Sequence, residues 1–281
     1  MIRWTILLTV FLITLAASAQ IRQMTDLERV GTADLIVAGT IQKVVDSGKA
    51  TGVMTVRVGR VLKGTAGETV DIHNLRWLRG KAVEAFGEGK EFLFFMQSMR
   101  EGYVLPRGMA SIYPTGHTDV IANLVKNYPL TLTVAEPLGP IVIGRRMPVT
   151  ITLKNNTDKP IGVSEIELLG FFLSPEMDAT LSNTVGPEIN GHHVAIWQVE
   201  TIEPGKEFTV NLEFAGELPA AWKMKPPAPG TAAEVKIRFR VTVDLETPRK
   251  RDADTYYMNS PLFATKVVMA ETKPVEEKAE E

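Results

Sequence analysis

The chain has 281 residues, 44% of them hydrophobic and 23% charged, with a formal net charge of −2 and no cysteine. That balance is globular, long enough for two domains of ordinary size, and lacks the basic excess of a dedicated nucleic-acid binder. The missing cysteines exclude disulfides, thiol catalysis, cysteine zinc sites and iron–sulfur clusters, so apolar cores must hold the fold together.

At the N-terminus Arg3 precedes the apolar run ILLTVFLITLAA, and ASA at 17–19 supplies the small residues a signal peptidase reads. The expectation is a signal peptide over 1–19, cut after Ala19 to leave Gln20. The run falls short of the ~20 residues that span a bilayer, so stable membrane insertion of the mature chain is not expected. The mature protein is expected in the periplasm or secreted.

The segment TADLIVAGTIQKVVD then alternates Val and Ile with small or polar residues, a strand bounded by Asp34 and Asp46. SGKATG reads as a turn, and VMTVRVGRVLKG as a second alternating strand. TVDIHNLRW, GEGKEFLFFMQ and EGYVLP supply three more strands. HTDVIANLVKNY reads as a helix, with Asp119 as its cap and Val120, Leu124 and Val125 turned to a core. Five strands closed by a helix, over 20–128, suit a small β-barrel.

Tyr128 and Pro129 mark a boundary. Beyond it, short alternating strands separated by Pro, Gly and Asn turns predict a β-sandwich over 129–270. The Pro-rich stretch 219–233 reads as an exposed loop, and 271–281 as a disordered charged tail. The expected fold class is therefore all-β: a five-stranded barrel with a flanking helix, then a sandwich.

One stretch, VGRVLKGTAGE from Val58 to Glu68, has the composition of a phosphate loop. A Walker A loop needs its lysine after the second glycine and a helix behind it. Here Lys63 precedes Gly64 and the flanks are both strands, so the stretch reads as a strand and a turn.

Together ADLIVAGTIQKVV, VMTVRVGRVLKGTAGETVDI and GEGKEFLFFM resemble the netrin-like domain of tissue inhibitors of metalloproteinases, over roughly residues 30–113. The shared marks are an "AD-apolar-apolar" strand, a strand ending in "KG", and a glycine-led "G-x-E-apolar" strand. The resemblance implies an oligonucleotide/oligosaccharide-binding (OB) type barrel. Those inhibitors chelate the protease zinc through an N-terminal cysteine. This chain has none, so no inhibitory residue is carried over. In the second half, MPVTITLKNNTDKPI and IEPGKEFTVNLEF resemble the immunoglobulin-like modules of exported bacterial proteins, which bind other proteins or act as spacers.

Candidate chemistry is sparse. His192 and His193 are adjacent, and on a strand would point to opposite faces, so no metal site and no cofactor are expected. Asp71 and His73 share a strand face and can form a hydrogen-bonded pair, yet no G-x-S-x-G nucleophile accompanies them. Glu165 and Glu167 share a face on what reads as one exposed edge, unlike glycosidase carboxylates drawn from two elements. No catalytic residue is assigned. Arg76, Trp77 and Arg79, with Tyr103, are the candidate binding residues, because Arg, Trp and Tyr predominate in binding hot spots. The same residues also suit core packing and charged strand ends.

The function expected is that of an exported, non-catalytic binding protein of the cell envelope, with another envelope or extracellular protein as partner and no nucleic acid. The alternatives are a proteinase inhibitor acting through a surface loop and a hydrolase with a dispersed active site.

Overall fold

The computed structural model describes residues 25–45, 52–75, 78, 81–98, 102–106, 108–136, 138–143, 145–172, 188–190, 194–215, 228–244 and 255–269. The segment read as a signal peptide, Arg76, Trp77, Arg79, the two adjacent histidines, most of 219–233 and the charged tail lie outside these residues.

The described residues open on a short helix, α1 (Asp26–Thr32), in a segment to which the sequence reading assigned no element. Thr25 caps it by accepting the Glu28 N–H, and Val30 is buried against the barrel. Strand β1 (Leu35–Val45) follows, then β2 (Val53–Lys63), β3 (Thr69–His73), β4 (Glu91–Ser98), β5 (Tyr103–Val104) and β6 (Ile112–Pro114). A one-turn helix, α2 (Lys81–Ala85), lies between β3 and β4.

The strand order β1-β2-β3-β5-β4 closes through β4–β1 pairing, with β6 added along β4. Closure removes the free edges that a five-stranded open sheet would expose. The result is a five-stranded OB-type barrel, as the alternating strands implied. Its interior holds Leu35, Val37, Ile41, Met54, Val56, Ile72 and Phe94, every one nearly inaccessible to solvent. The stretch from Val58 to Glu68 is the end of β2 and the turn into β3. Gly64 sits at φ +80°, and a Cβ there would lie 2.4 Å from the Asp34 carbonyl oxygen, so glycine alone fits the turn.

Helix α3 (Thr118–Lys126) closes the barrel unit but differs from expectation in two respects. Its N-cap is His117, without a side-chain cap; Asp119 sits in the first turn and pairs with Arg60 at 3.0 Å. The core-facing residue is Ile121, wholly buried, with Leu124 and Val125 partly buried beside it, whereas Val120 is 62% exposed. The 3.6-residue period selects 121, 124 and 125 as one face, and places 120 about 100° away.

From Leu130 onward the strands build a sandwich. Strands β7 (Leu130–Val134), β9 (Arg146–Asn155) and β13 (Glu207–Ala215) form a three-stranded antiparallel sheet in the order β13-β9-β7. The facing sheet runs β11 (Glu188–Asn190), β10 (Ile161–Phe172), β14 (Ala232–Asp244), β16 (Phe263–Val268), β8 (Ile141–Val142). Off that path β12 (Val194–Ile202) pairs with β10, and β15 (Thr255–Asn259) with β14. One core joins the sheets: Leu132, Ile151 and Leu153 from one meet Val163, Ile237, Phe239 and Val241 from the other. Strand β10, which carries Glu165 and Glu167, has partners on both sides and is interior. The exposed edge expected there is absent, because the pairing that covers it comes from β14, about seventy residues later in the chain.

Candidate functional site

The barrel presents a cleft where β3 meets β5. The two strands pair in parallel at only two positions, Ile72 with Tyr103 and His73 with Val104. Below that contact the gap opens into a solvent-facing cleft of about 500 Å³ lined by Thr65, Thr69, Asp71, His73, Gly102 and Tyr103 among others. The alternation of β3 explains the polarity of this wall: Val70 and Ile72 enter the core, so Thr69 and Asp71 face outward.

Asp71 and His73 do share this wall, but no hydrogen bond joins them among the described residues. Asp71 instead accepts the Thr55 hydroxyl at 2.7 Å across the β2–β3 ladder, since Thr55 and Asp71 are directly paired. The His73 ring packs against Gly102, where a Cβ would lie 2.8 Å from ring atoms and from the Asp71 carbonyl oxygen. Gly102 also has φ +74°, so the approach of β5 to β3 depends on glycine twice over. Tyr103 packs half-buried against the barrel core while lining the cleft. Burial pushes its hydroxyl above the ordinary tyrosine value, and the negative charge of Asp34 adds to the effect.

Of the four binding residues proposed from sequence, the structure thus places Tyr103 in a cleft. Arg76, Trp77 and Arg79 lie outside the described residues, bracketed by Leu75 and Leu78, both buried in the barrel core. Tyr113 is committed elsewhere: its hydroxyl donates to Asp26 at 2.9 Å, and Arg29 stacks 4.8 Å above its ring.

A second constellation, invisible in sequence, joins barrel to sandwich. Arg238 on β14, 2% exposed, reaches Asp34, just before β1, with both terminal guanidinium nitrogens, at 3.0 and 2.9 Å. Asp34 also accepts the Ser98 N–H at 2.7 Å, and Asn259 donates to the Thr32 carbonyl at 3.1 Å. Beside them the Lys63 ammonium donates to the Val30 carbonyl at 2.6 Å. Burial lowers the Lys63 pKa to about 8; Asp34 opposes that shift and Arg238 adds to it. Tyr128 completes the seam, donating to the Leu27 carbonyl at 3.0 Å with its ring edge-on to Tyr256 at 6.2 Å. The "AD" and "KG" residues singled out in the first half therefore meet here, at a seam with the second half. Because Ser98 pairs with Tyr103, one hairpin touches both the seam and the cleft.

Among the described residues no group of three or more His, Asp or Glu side chains can hold a metal ion, and no helix is long and apolar enough to cross a membrane.

No protein-family model and no curated protein matches the chain. Solved structures match weakly. The PapD-like domain 7 of human CEP192 is 8% identical over 50% of this chain and 87% of its own, with a TM-score of 0.28. A β-glucosidase from Listeria innocua in complex with laminaribiose is 16% identical, covering 51% of this chain and 16% of its own, with a TM-score of 0.28. The alkylpurine DNA glycosylase AlkC of Pseudomonas fluorescens, bound to DNA, is 10% identical over 53% of this chain and 34% of its own, also at 0.28. At such TM-scores these likenesses bear on neither fold nor function.

Proposed function

We propose that the protein is an exported, non-catalytic binding protein of the cell envelope, a netrin-like barrel followed by an immunoglobulin-like sandwich, which holds a protein partner at the β3–β5 cleft. The observation that carries this reading is the cleft itself. It sets an aromatic, an imidazole, a carboxylate and threonine hydroxyls side by side on one face of a closed barrel. Tyrosine offers a large, rigid contact area with a polar end, which suits recognition by another protein. The buried seam supports the same reading from a distance, because it fixes the cleft relative to the sandwich.

The test is affinity capture from the native envelope with the full chain as bait, alongside a variant carrying Asp71→Ala and Tyr103→Ala. A stoichiometric protein held by the parent chain and released by the double variant is the expected result. Equal capture by both, or none by either, would overturn the placement of the site. N-terminal sequencing of the chain recovered from the envelope fraction should begin at Gln20; a chain retained uncut in the cytoplasm would overturn export.

A further inference from the structure

We propose that the β3–β5 cleft takes an extended peptide segment, carrying a lysine or arginine, as an added strand along Thr69–Asp71. The proposal rests on the reading of the cleft as a protein-binding site and names the form of the ligand.

The argument starts from the ladder between β2 and β3. Its register pairs Thr69 with Arg57, Val70 with Val56, Asp71 with Thr55 and Ile72 with Met54. The Val58 N–H donates to the Glu68 carbonyl at 2.8 Å, which makes that pair the hydrogen-bonded kind. In an antiparallel ladder the two kinds of pair alternate, so Val70 and Ile72 also turn their backbone groups toward β2. Thr69 and Asp71 therefore turn theirs the other way, into the cleft. Strand β5 reaches only as far as Ile72, and Gly102 crowds the Asp71 carbonyl. The Thr69 N–H and carbonyl and the Asp71 N–H are left facing the cleft, and no strand among the described residues pairs with this side of Thr69.

A row of outward backbone donors and acceptors beside an open gap is what strand addition uses, and the complement it requires is another extended main chain. The unpaired length of β3 beside the gap, Thr69–Asp71, offers about three residues of pairing at roughly 3.3 Å each. Charge selects the side chains. Among the described residues of the lining Asp71 is the one carboxylate. Glu68 is exposed on the adjoining turn. Arg57, opposite Thr69 and on the same outward face, is one strand further from the gap and is not among the residues that line it. A basic residue on the added strand would meet Asp71, with Tyr103 beside it.

The experiment is selection of displayed random peptides on the full chain, followed by titration of synthetic winners. Winners are expected to alternate in pattern and to carry Lys or Arg. Replacing their basic residue by glutamate should weaken binding more than the loss of Asp71 does, roughly tenfold, because attraction becomes repulsion. Asp71→Asn in the protein should weaken them roughly threefold, more at low salt, as for an exposed ion pair. Methylating the peptide nitrogens that face β3 should weaken them about tenfold, the loss of a main-chain hydrogen bond. Absence of winners, or winners indifferent to N-methylation and to Asp71→Asn, would overturn the proposal. If such peptides fail while the envelope partner is still captured and still depends on Asp71 and Tyr103, the strand-addition idea falls and the binding reading stands.

Discussion

At the scale of single residues, Lys63 shows how far the seam departs from a solvated surface. An ammonium lowered to about 8 against an ordinary value of 10.5 binds its proton less tightly folded than unfolded. Between those two values the unfolded chain holds more protons, so stability rises with pH through that window, by about 3 kcal/mol in all at 1.36 kcal/mol per pKa unit. The buried tyrosines act in the opposite sense once pH passes their ordinary value of 10, since their hydroxyls are shifted upward in the fold. Denaturant titrations at pH 7.5 and 9.5 should therefore show the parent chain more stable at the higher pH. Lys63→Met should show no such gain. An equal gain in that variant would mean that Lys63 is not the group responsible.

The elements separate what a sequence can announce from what only long-range pairing creates. β1 and β2 were legible because eleven-residue alternation has one physical reading, a strand with one buried face. α1 was not: seven residues, with charge in the first turn and a glycine near the end, offer too little periodicity to stand out. The shared face of Asp71 and His73 was visible, and Tyr103 stood among the candidate binding residues. Their meeting in one cleft was not, because it depends on a parallel pair of only two residues between β3 and β5. That pair is also where the cleft is most sensitive. Gly102→Ala would place a Cβ against the Asp71 carbonyl and the His73 ring while holding a side-chain residue at φ +74°. The conformation alone costs about 1–2 kcal/mol, and the crowding must add to it by pushing β5 from β3. Thermal unfolding should register a loss above about 2 kcal/mol, and the His73 ring resonances should shift. A near-neutral variant would mean that β5 approaches β3 less closely than the structure has it.

For the molecule as a whole, the decisive contact spans 204 positions, from Asp34 to Arg238, and no local pattern announces it. Its two side chains are 14% and 2% exposed, so each is largely stripped of water and depends on the other. Removing one partner strands the other's charge in the seam, at a cost of roughly 3–5 kcal/mol, whereas an apolar pair of similar volume can be nearly neutral. Arg238→Met and Asp34→Leu should each destabilise strongly. The double variant should lose much less than their sum, leaving a coupling term well away from zero in the cycle, tempered by the Ser98 N–H that Asp34 also satisfies. The seam should also decide cooperativity. With the ion pair intact, barrel and sandwich should unfold in one transition, because Asn259–Thr32 and the Tyr128–Tyr256 contact add to the same surface. In Arg238→Met the calorimetric trace should broaden or split as each core, barrel and sandwich, melts on its own. A single sharp transition at an unchanged temperature would show that the two cores are coupled by something other than this pair.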